Sequence, residues 1–233
     1  MRHDSGIGVL DKAVGVLHAV AESPCGLAEL CERTGLPRAT AHRLAAGLEF
    51  HRLLGRDDDG RWLLGPGLTE LSVRVSDPLL AAGAAVLPGL REITGESVQL
   101  YRREGSTRVC IAALEPAAGL RDTVPVGARL PMTAGSAARV LLAYSDDATR
   151  DEVLASAKFT ERTLAEVRRR GWAQSAAERE PGVASVSAPV RDRAGVVIGA
   201  VSVSGPIDRM GRRPGARWAA DLLAAAEALT QRL

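Results

Sequence analysis

From Val9 onward, apolar positions recur at three- and four-residue spacing. Val9, Leu10, Ala13, Val14, Leu17 and Val20 make one stripe of a first helix, which Ser23-Pro24 ends. A second helix is expected over Leu27 to Thr34, burying Leu27, Leu30 and Cys31. Gly35 supplies a left-handed stop, and Pro37 suits the first turn of a third helix, where its missing N–H has no partner to lose. In that third helix Ala41, Leu44, Ala45 and Leu48 face inward, leaving Arg38, Thr40, His42 and Arg43 on or near the opposite side. Two short helices, a glycine turn and a third helix with Arg and Thr near its start make a helix-turn-helix.

Beyond Leu53-Leu54, short apolar ends flank an Asp-Gly turn in Gly55-Arg56-Asp57-Asp58-Asp59-Gly60-Arg61-Trp62-Leu63-Leu64. This predicts a hairpin wing whose arms, with Arg56 and Arg61, approach a DNA backbone while the acidic tip stays away. The periodicity then changes. Leu79 to Gly95 reads as a helix interrupted at Pro88-Gly89. Ser97 to Arg102 alternates with Val98 and Leu100 inward, Glu104-Gly105 turns, and Arg108 to Leu114 returns. A third extended piece, Leu120 to Val126, precedes a small-residue helix over Ala134 to Ala143, and further helices are expected near Asp147 to Ala155 and Leu164 to Arg170. Val183 to Val190 and Val196 to Ser204 form a second hairpin across Asp192 to Gly195, and Gly215 to Arg232 closes the chain as a helix. Hairpins separated by helices predict an α+β domain on an antiparallel sheet.

Composition narrows the function classes. With 233 residues, 46% apolar and 25% charged, the chain suits one large or two modest globular domains and excludes a disordered or collagen-like polymer. Its longest apolar stretch, Pro78 to Leu90, is interrupted by Gly and Pro and is too short for a hydrocarbon core of roughly 30 Å. The opening Met1-Arg2-His3-Asp4 lacks the apolar run of a secretory signal, so a cytoplasmic location is expected, with no membrane partner. Cys25, Cys31 and Cys110 are an odd number and fit structural thiols in a reducing compartment; no zinc spacing and no other metal or cofactor motif is present. The net charge of +2 says little, but 28 of the 30 cations are Arg, and between Arg33 and Arg56 five Arg face one acid, Glu49. Arg is the better residue for bidentate phosphate and guanine contacts, so this local patch favours a groove-sized partner. Arg38 or Arg43 is the candidate base reader, with Thr40 near phosphate or a thymine methyl.

The strand Val196 to Ser204 is mostly apolar on both faces, so it is expected to be buried on both sides. Hydroxyls there need partners, from a ligand or from backbone and one another; Ser185 and Ser187 show the same spacing on the neighbouring strand. Gly135-Ser136-Ala137 opens a helix whose first N–H groups suit a carboxylate. An enzyme is disfavoured: there is no Gly-x-Ser-x-Gly elbow or phosphate loop, and the second half has no His to act as a base. The rival reading is a cytosolic small-molecule-binding enzyme or sensor whose helix-turn-helix is an oligomer surface; steep salt dependence of binding to DNA separates the two.

Longer blocks carry a family resemblance. Leu27-Ala28-Glu29-Leu30, Gly35 to Leu44 and Gly60 to Pro66 resemble the DNA-binding half of IclR-type transcriptional regulators. Arg129 to Ala134, Arg169 to Ala173, Glu178 with Gly182-Val183, Ser187 to Val190 and Val201 to Pro206 resemble their second half, in family order. The resemblance implies a winged helix-turn-helix over residues 1–66, a linker helix region over 67–78, and a GAF-like effector-binding domain over 79–233. It also implies a homodimer or dimer of dimers on double-stranded operator DNA, controlled by a small-molecule effector, a small carboxylate or amino-acid-related metabolite. The positions matching the family pocket are Met132, Ser136, Ala137, Ser175, Val183, Ser185, Ser202 and Ser204. Ser175 departs from the Asp often found there, and Ser185 replaces a less polar residue of some members. The sequence is most similar to actinobacterial NdgR-type members, associated with amino-acid biosynthesis, notably leucine.

Overall fold

The computed structural model describes residues 5–233; the opening tetrapeptide lies outside the described residues. The chain divides into two compact units, Met1–Ser76 and Asp77–Leu233. In the first, α1 (Gly8–Glu22), α2 (Leu27–Thr34) and α3 (Arg38–Phe50) are followed by a hairpin of β1 (Leu54–Arg56) and β2 (Trp62–Leu64), then by α4 (Pro66–Ser72). Gly35 ends α2 at φ +67°, as its lack of a side chain allows, and Pro37 stands just before α3 as its cap residue instead of inside its first turn. The core joins Val16, Val20, Leu30, Ala41, Ala45, Leu54 and Trp62.

The stripe expected on α1 is only half right. Its buried residues are Val16, Ala19 and Val20, with Leu17 partly buried, whereas Val9, Leu10 and Val14 are 65%, 50% and 41% exposed. Two apolar stripes overlap on this helix, and burial starts only at Val16. Reciprocal backbone hydrogen bonds between Cys25 and Trp62, 3.0 Å each, stitch the hairpin to the segment ahead of α2.

The second unit runs α5 (Pro78–Thr94), β3 (Ser97–Glu104), β4 (Thr107–Leu114), β5 (Arg129–Pro131), α6 (Ser136–Ala143), α7 (Asp147–Leu154), α8 (Glu161–Arg170), β6 (Ala173–Ala176), β7 (Val183–Arg191), β8 (Val197–Pro206), α9 (Ile207–Met210) and α10 (Gly215–Thr230). Its strands form one antiparallel sheet in the order β5-β4-β3-β8-β7-β6, giving the expected α+β class. One face is dry: Val98, Leu100, Val186, Val201 and Val203 pack against Leu79, Leu87 and Leu90 of α5 and Trp218, Leu222 and Leu229 of α10. Tyr101, Cys110 and Ala200 face the other way, toward Val140 and Leu142 of α6 and Leu164 and Val167 of α8. Strand β8 is thus covered on both faces.

Two sequence expectations are corrected. Helix α5 continues through Pro88. The carbonyl that loses its donor belongs to the exposed residue Ala84, and Asp77 caps the start by accepting from the amides of Leu79 and Leu80 at 3.0 and 3.3 Å. Leu120 to Val126 is not a strand: Asp122 and Val124 are buried in alternation, but no ladder pairs them, and the third strand is the short β5 on the edge of β4. Strand β6 was not anticipated, because Ala-Gln-Ser-Ala offers no β-branched or aromatic residue.

Candidate functional site

In the first unit, burying Ala41 and Ala45 turns the opposite side of α3 outward. Arg38, His42 and Arg43 are exposed and Thr40 is half-buried. The arginines of this region then fall into two groups. Arg33 pairs with Glu29, Arg52 with Glu70, Arg56 with Glu49, and Arg61 with both Asp57 and Asp59. Arg38 and Arg43 are engaged in no hydrogen bond or ion pair among the described residues.

The two hairpin arginines are braces within the unit. Arg56 donates from Nε to both Glu49 oxygens at 3.0 and 3.1 Å and from its terminal nitrogen to the Gly60 carbonyl at 2.7 Å, with its guanidinium 4.3 Å from the centre of the Trp62 ring. Trp62 Nε1 donates to the same carboxylate at 3.0 Å, and His42 meets the indole edge-on with centroids 6.0 Å apart. Glu49 therefore ties α3 to the wing. Its carboxyl is held below the ordinary value of 4.5, first by the Arg56 hydrogen bond and next by that of Trp62. Arg61 donates to Asp57 at 2.9 Å, so two of the three acids at the hairpin tip are partly neutralised from within.

In the second unit a small cavity of about 30 Å³, open to solvent, lies at the N-terminal end of α6. Ser136, Ala137, Ser175, Val183, Ser185, Ser202 and Ser204 all line it, so the structure brings together seven of the eight positions expected from the sequence. Met132 does not; its side chain is fully buried in the apolar layer with Val140 and Leu142. Alternation on β7 and β8 explains the gathering, since Ala184 and Val186, like Val201 and Val203, take the dry face and leave the serines on the other.

These hydroxyls satisfy one another. Ser175 bonds Ser185 at 3.0 Å, Ser136 bonds Ser185 and Ser187 at 2.7 Å each, Ser187 donates to Ser202 at 2.9 Å, and Ser204 exchanges hydrogen bonds with Gln99 at 2.9 and 3.1 Å. The first amide at the mouth of α6, that of Gly135, donates to Glu178 Oε2 at 3.1 Å. Glu178 also accepts from Arg139, and its backbone carbonyl from Lys158 at 2.5 Å.

Sequence reasoning missed the charged part of the lining: Arg108, Asp122, Glu178, Arg179 and Glu180, beside Tyr101. Arg179 donates to Asp122 at 2.7 Å and also pairs with Glu180. Arg108 comes from β4, directly before the apolar run from Val109; an arginine at the start of such a run was the available signal. Burial pushes the Tyr101 hydroxyl up, and pushes the Cys110 thiol up to about 11, which leaves that thiol protonated and unreactive. Among the described residues no cluster of His, Cys, Asp and Glu could hold a metal, all three cysteines are unbridged, and no helix is long and apolar enough to cross a membrane.

Comparison with known proteins gives these two features a context. Residues 9–58 match the IclR helix-turn-helix domain and residues 73–231 match the bacterial transcriptional regulator IclR C-terminal domain. The chain is 29% identical over 219 residues to the glycerol operon regulatory protein of Streptomyces coelicolor, covering 87% of this chain and 86% of that one. It is 28% identical to the transcriptional repressor IclR of Escherichia coli, over 86% of this chain and 81% of that protein. Among solved structures, an IclR homologue from Microbacterium hydrocarbonoxydans complexed with 4-hydroxybenzoate superposes with a TM-score of 0.85 at 26% identity, covering 97% and 98% of the two chains. Relatives that are regulators and not enzymes, a family match that spans well over half the sequence, and a helix-turn-helix with an outward Arg face agree: the chain belongs to the IclR family of bacterial transcriptional regulators.

Proposed function

We propose that the chain binds double-stranded operator DNA through the outer face of α3, as a homodimer or dimer of dimers in the cytoplasm, under the control of a small carboxylate or amino-acid-related metabolite held in the cavity of the second unit. One observation carries the DNA reading. Of the arginines from Arg33 to Arg61, only Arg38 and Arg43 have no hydrogen-bond or ion-pair partner among the described residues, and both stand on the helix that a helix-turn-helix inserts into the major groove. Arg38 or Arg43 reads guanine, Thr40 lies near phosphate or a thymine methyl, and His42 supports the wing through Trp62. Arg56 and Arg61 act by fixing the wing, and each would have to exchange a carboxylate for a phosphate to touch DNA directly.

The exposed Val9, Leu10 and Val14 on α1 support self-association. The link to amino-acid metabolism, leucine biosynthesis in particular, rests on the resemblance to NdgR-type members. The named relatives point elsewhere, to a glycerol operon, and a structural neighbour is complexed with 4-hydroxybenzoate.

Fluorescence anisotropy on a fragment of the gene's own upstream region tests the reading. Arg43→Ala is expected to lower affinity about tenfold or more, the value of a bidentate guanine contact of roughly 1–3 kcal/mol. The slope of affinity against salt should also fall, with unchanged thermal stability. Parental affinity in both Arg38→Ala and Arg43→Ala would refute the assignment of the reading face.

A further inference from the structure

Resting on the reading of the cavity as the effector site, we propose that Arg108 is the residue that selects an anionic ligand there, by supplying a buried guanidinium charge that no carboxylate among the described residues neutralises through an ion pair.

Three observations converge on this side chain. Arg108 is only 3% exposed and lines the cavity. One terminal nitrogen donates to the Pro131 carbonyl, but Nε, fully buried, has no hydrogen-bond partner among the described residues. Every carboxylate in the lining is already engaged with a different arginine: Asp122 and Glu180 with Arg179, and Glu178 with Arg139. Burial is the largest influence and pushes the guanidinium down to about 10; Tyr101 acts in the opposite sense, Arg179 repels it, and Asp122 attracts it from a distance. It remains charged at neutral pH. A buried cation without a hydrogen-bonded counter-charge is costly, and the cost disappears when an anion enters.

The surroundings favour a planar or small ligand. The guanidinium lies 5.6 Å from the centre of the Tyr101 ring, and a side chain at Gly135 would come within 3.2 Å of its terminal nitrogen. Glycine at 135, with φ +97°, lets Arg108 reach the mouth of α6. The serine hydroxyls, already bonded to one another, carry no net charge. Selectivity for charge therefore falls to Arg108, while the hydroxyls and Tyr101 set the shape.

Thermal unfolding of the full chain at fixed ionic strength, titrated with sodium benzoate or with benzamide, tests this. Wild-type protein is expected to reach half its stabilisation at an about tenfold to hundredfold lower concentration of benzoate than of benzamide, the ratio for a hydrogen-bonded charge. In Arg108→Met, which keeps the apolar stem, the ratio should collapse to about one and the unliganded melting temperature should stay level or rise. Arg108→Lys should retain part of the preference. Equal response of wild-type protein to the two probes, absence of any response, or an undiminished benzoate preference in Arg108→Met would each overturn the proposal. Val183→Trp, which fills the cavity from β7, separates the two readings. If it removes the response while Arg108→Met keeps the benzoate preference, the pocket stands and the role of Arg108 falls. If Val183→Trp responds like wild type, the pocket itself is misassigned, and the proposal falls with it.

Discussion

Substitution at Glu49 should show how the wing is held to α3. One carboxylate accepts from Arg56 at 3.0 and 3.1 Å and from Trp62 Nε1 at 3.0 Å, and Trp62 is 2% exposed. Glu49→Ala removes the indole's acceptor, and an unsatisfied buried donor costs about 1–3 kcal/mol. The Arg56 pair adds less: its side chains are 38% and 34% exposed, so solvent screening reduces it to about 0.5 kcal/mol. Together these put the loss at about 1.5–3.5 kcal/mol. Glu49→Gln keeps an oxygen for Trp62 and forfeits the charge, so it should lose under about 1 kcal/mol. Peptide-resolved hydrogen exchange over residues 38–64 in graded urea measures the opening of this region separately from the second unit. The acid limb gives an independent check. Because the folded carboxyl titrates below 4.5, its contribution is fully present above that value and is lost as pH falls through the folded value. Glu49→Gln should abolish this part of the acid sensitivity. Equal stability of the Ala and Gln variants, or an acid limb unchanged in Glu49→Gln, would refute the argument that one carboxylate holds helix and wing together.

Two backbone positions give further tests. A side chain at Gly65 would stand 2.3 Å from the Arg52 carbonyl oxygen and 2.6 Å from that of Leu54, both main-chain atoms that cannot swing aside. Gly65→Ala should therefore destabilise the first unit by about 3 kcal/mol or more, seen as early loss of protection in the same exchange experiment, while benzoate stabilisation of the second unit persists. Pro88→Ala should raise the melting temperature of the second unit. It restores an amide donor to Ala84 within α5, worth up to about 3 kcal/mol in a helix interior, and gives back less than about 1 kcal/mol through greater freedom of the unfolded chain. A fall in melting temperature would mean that the proline ring itself packs in a way the substitution destroys.

Much of the fold was legible because it is encoded locally. Gly35 and Pro37 punctuate the helix-turn-helix, and the alternation along β7 and β8 declares a face of small apolar residues and a face of serines. The failures have equally local causes. Two apolar stripes compete on α1, and only tertiary cover decides that Val16 is buried and Val9 is not. Pro88 reads as a break, yet the carbonyl it frees belongs to an exposed residue, Ala84, and the helix continues. Asp122 and Val124 alternate like strand residues but have no neighbouring strand to pair with.

The cavity shows where local reading stops. Of its seven recognised positions, Ser185, Ser202 and Ser204 follow from strand alternation and Ser136 and Ala137 from the opening of α6, whereas Ser175 and Val183 came only through the family resemblance. Its charges follow from none of these. Arg108 arrives on β4, Asp122 on the segment before β5 and Arg179 on the connection between β6 and β7, and spacing along the chain cannot show that Arg179 takes Asp122 and leaves Arg108 without an ion pair. This division of labour has a physical consequence. Hydroxyls that bond one another keep a polar lining stable without demanding a ligand of one charge, since every donor finds an acceptor within the protein. A single buried guanidinium set into that neutral lining then makes the site respond to charge. Stability of the empty cavity and discrimination by the filled one are thus carried by different side chains, and substitutions can alter one without the other.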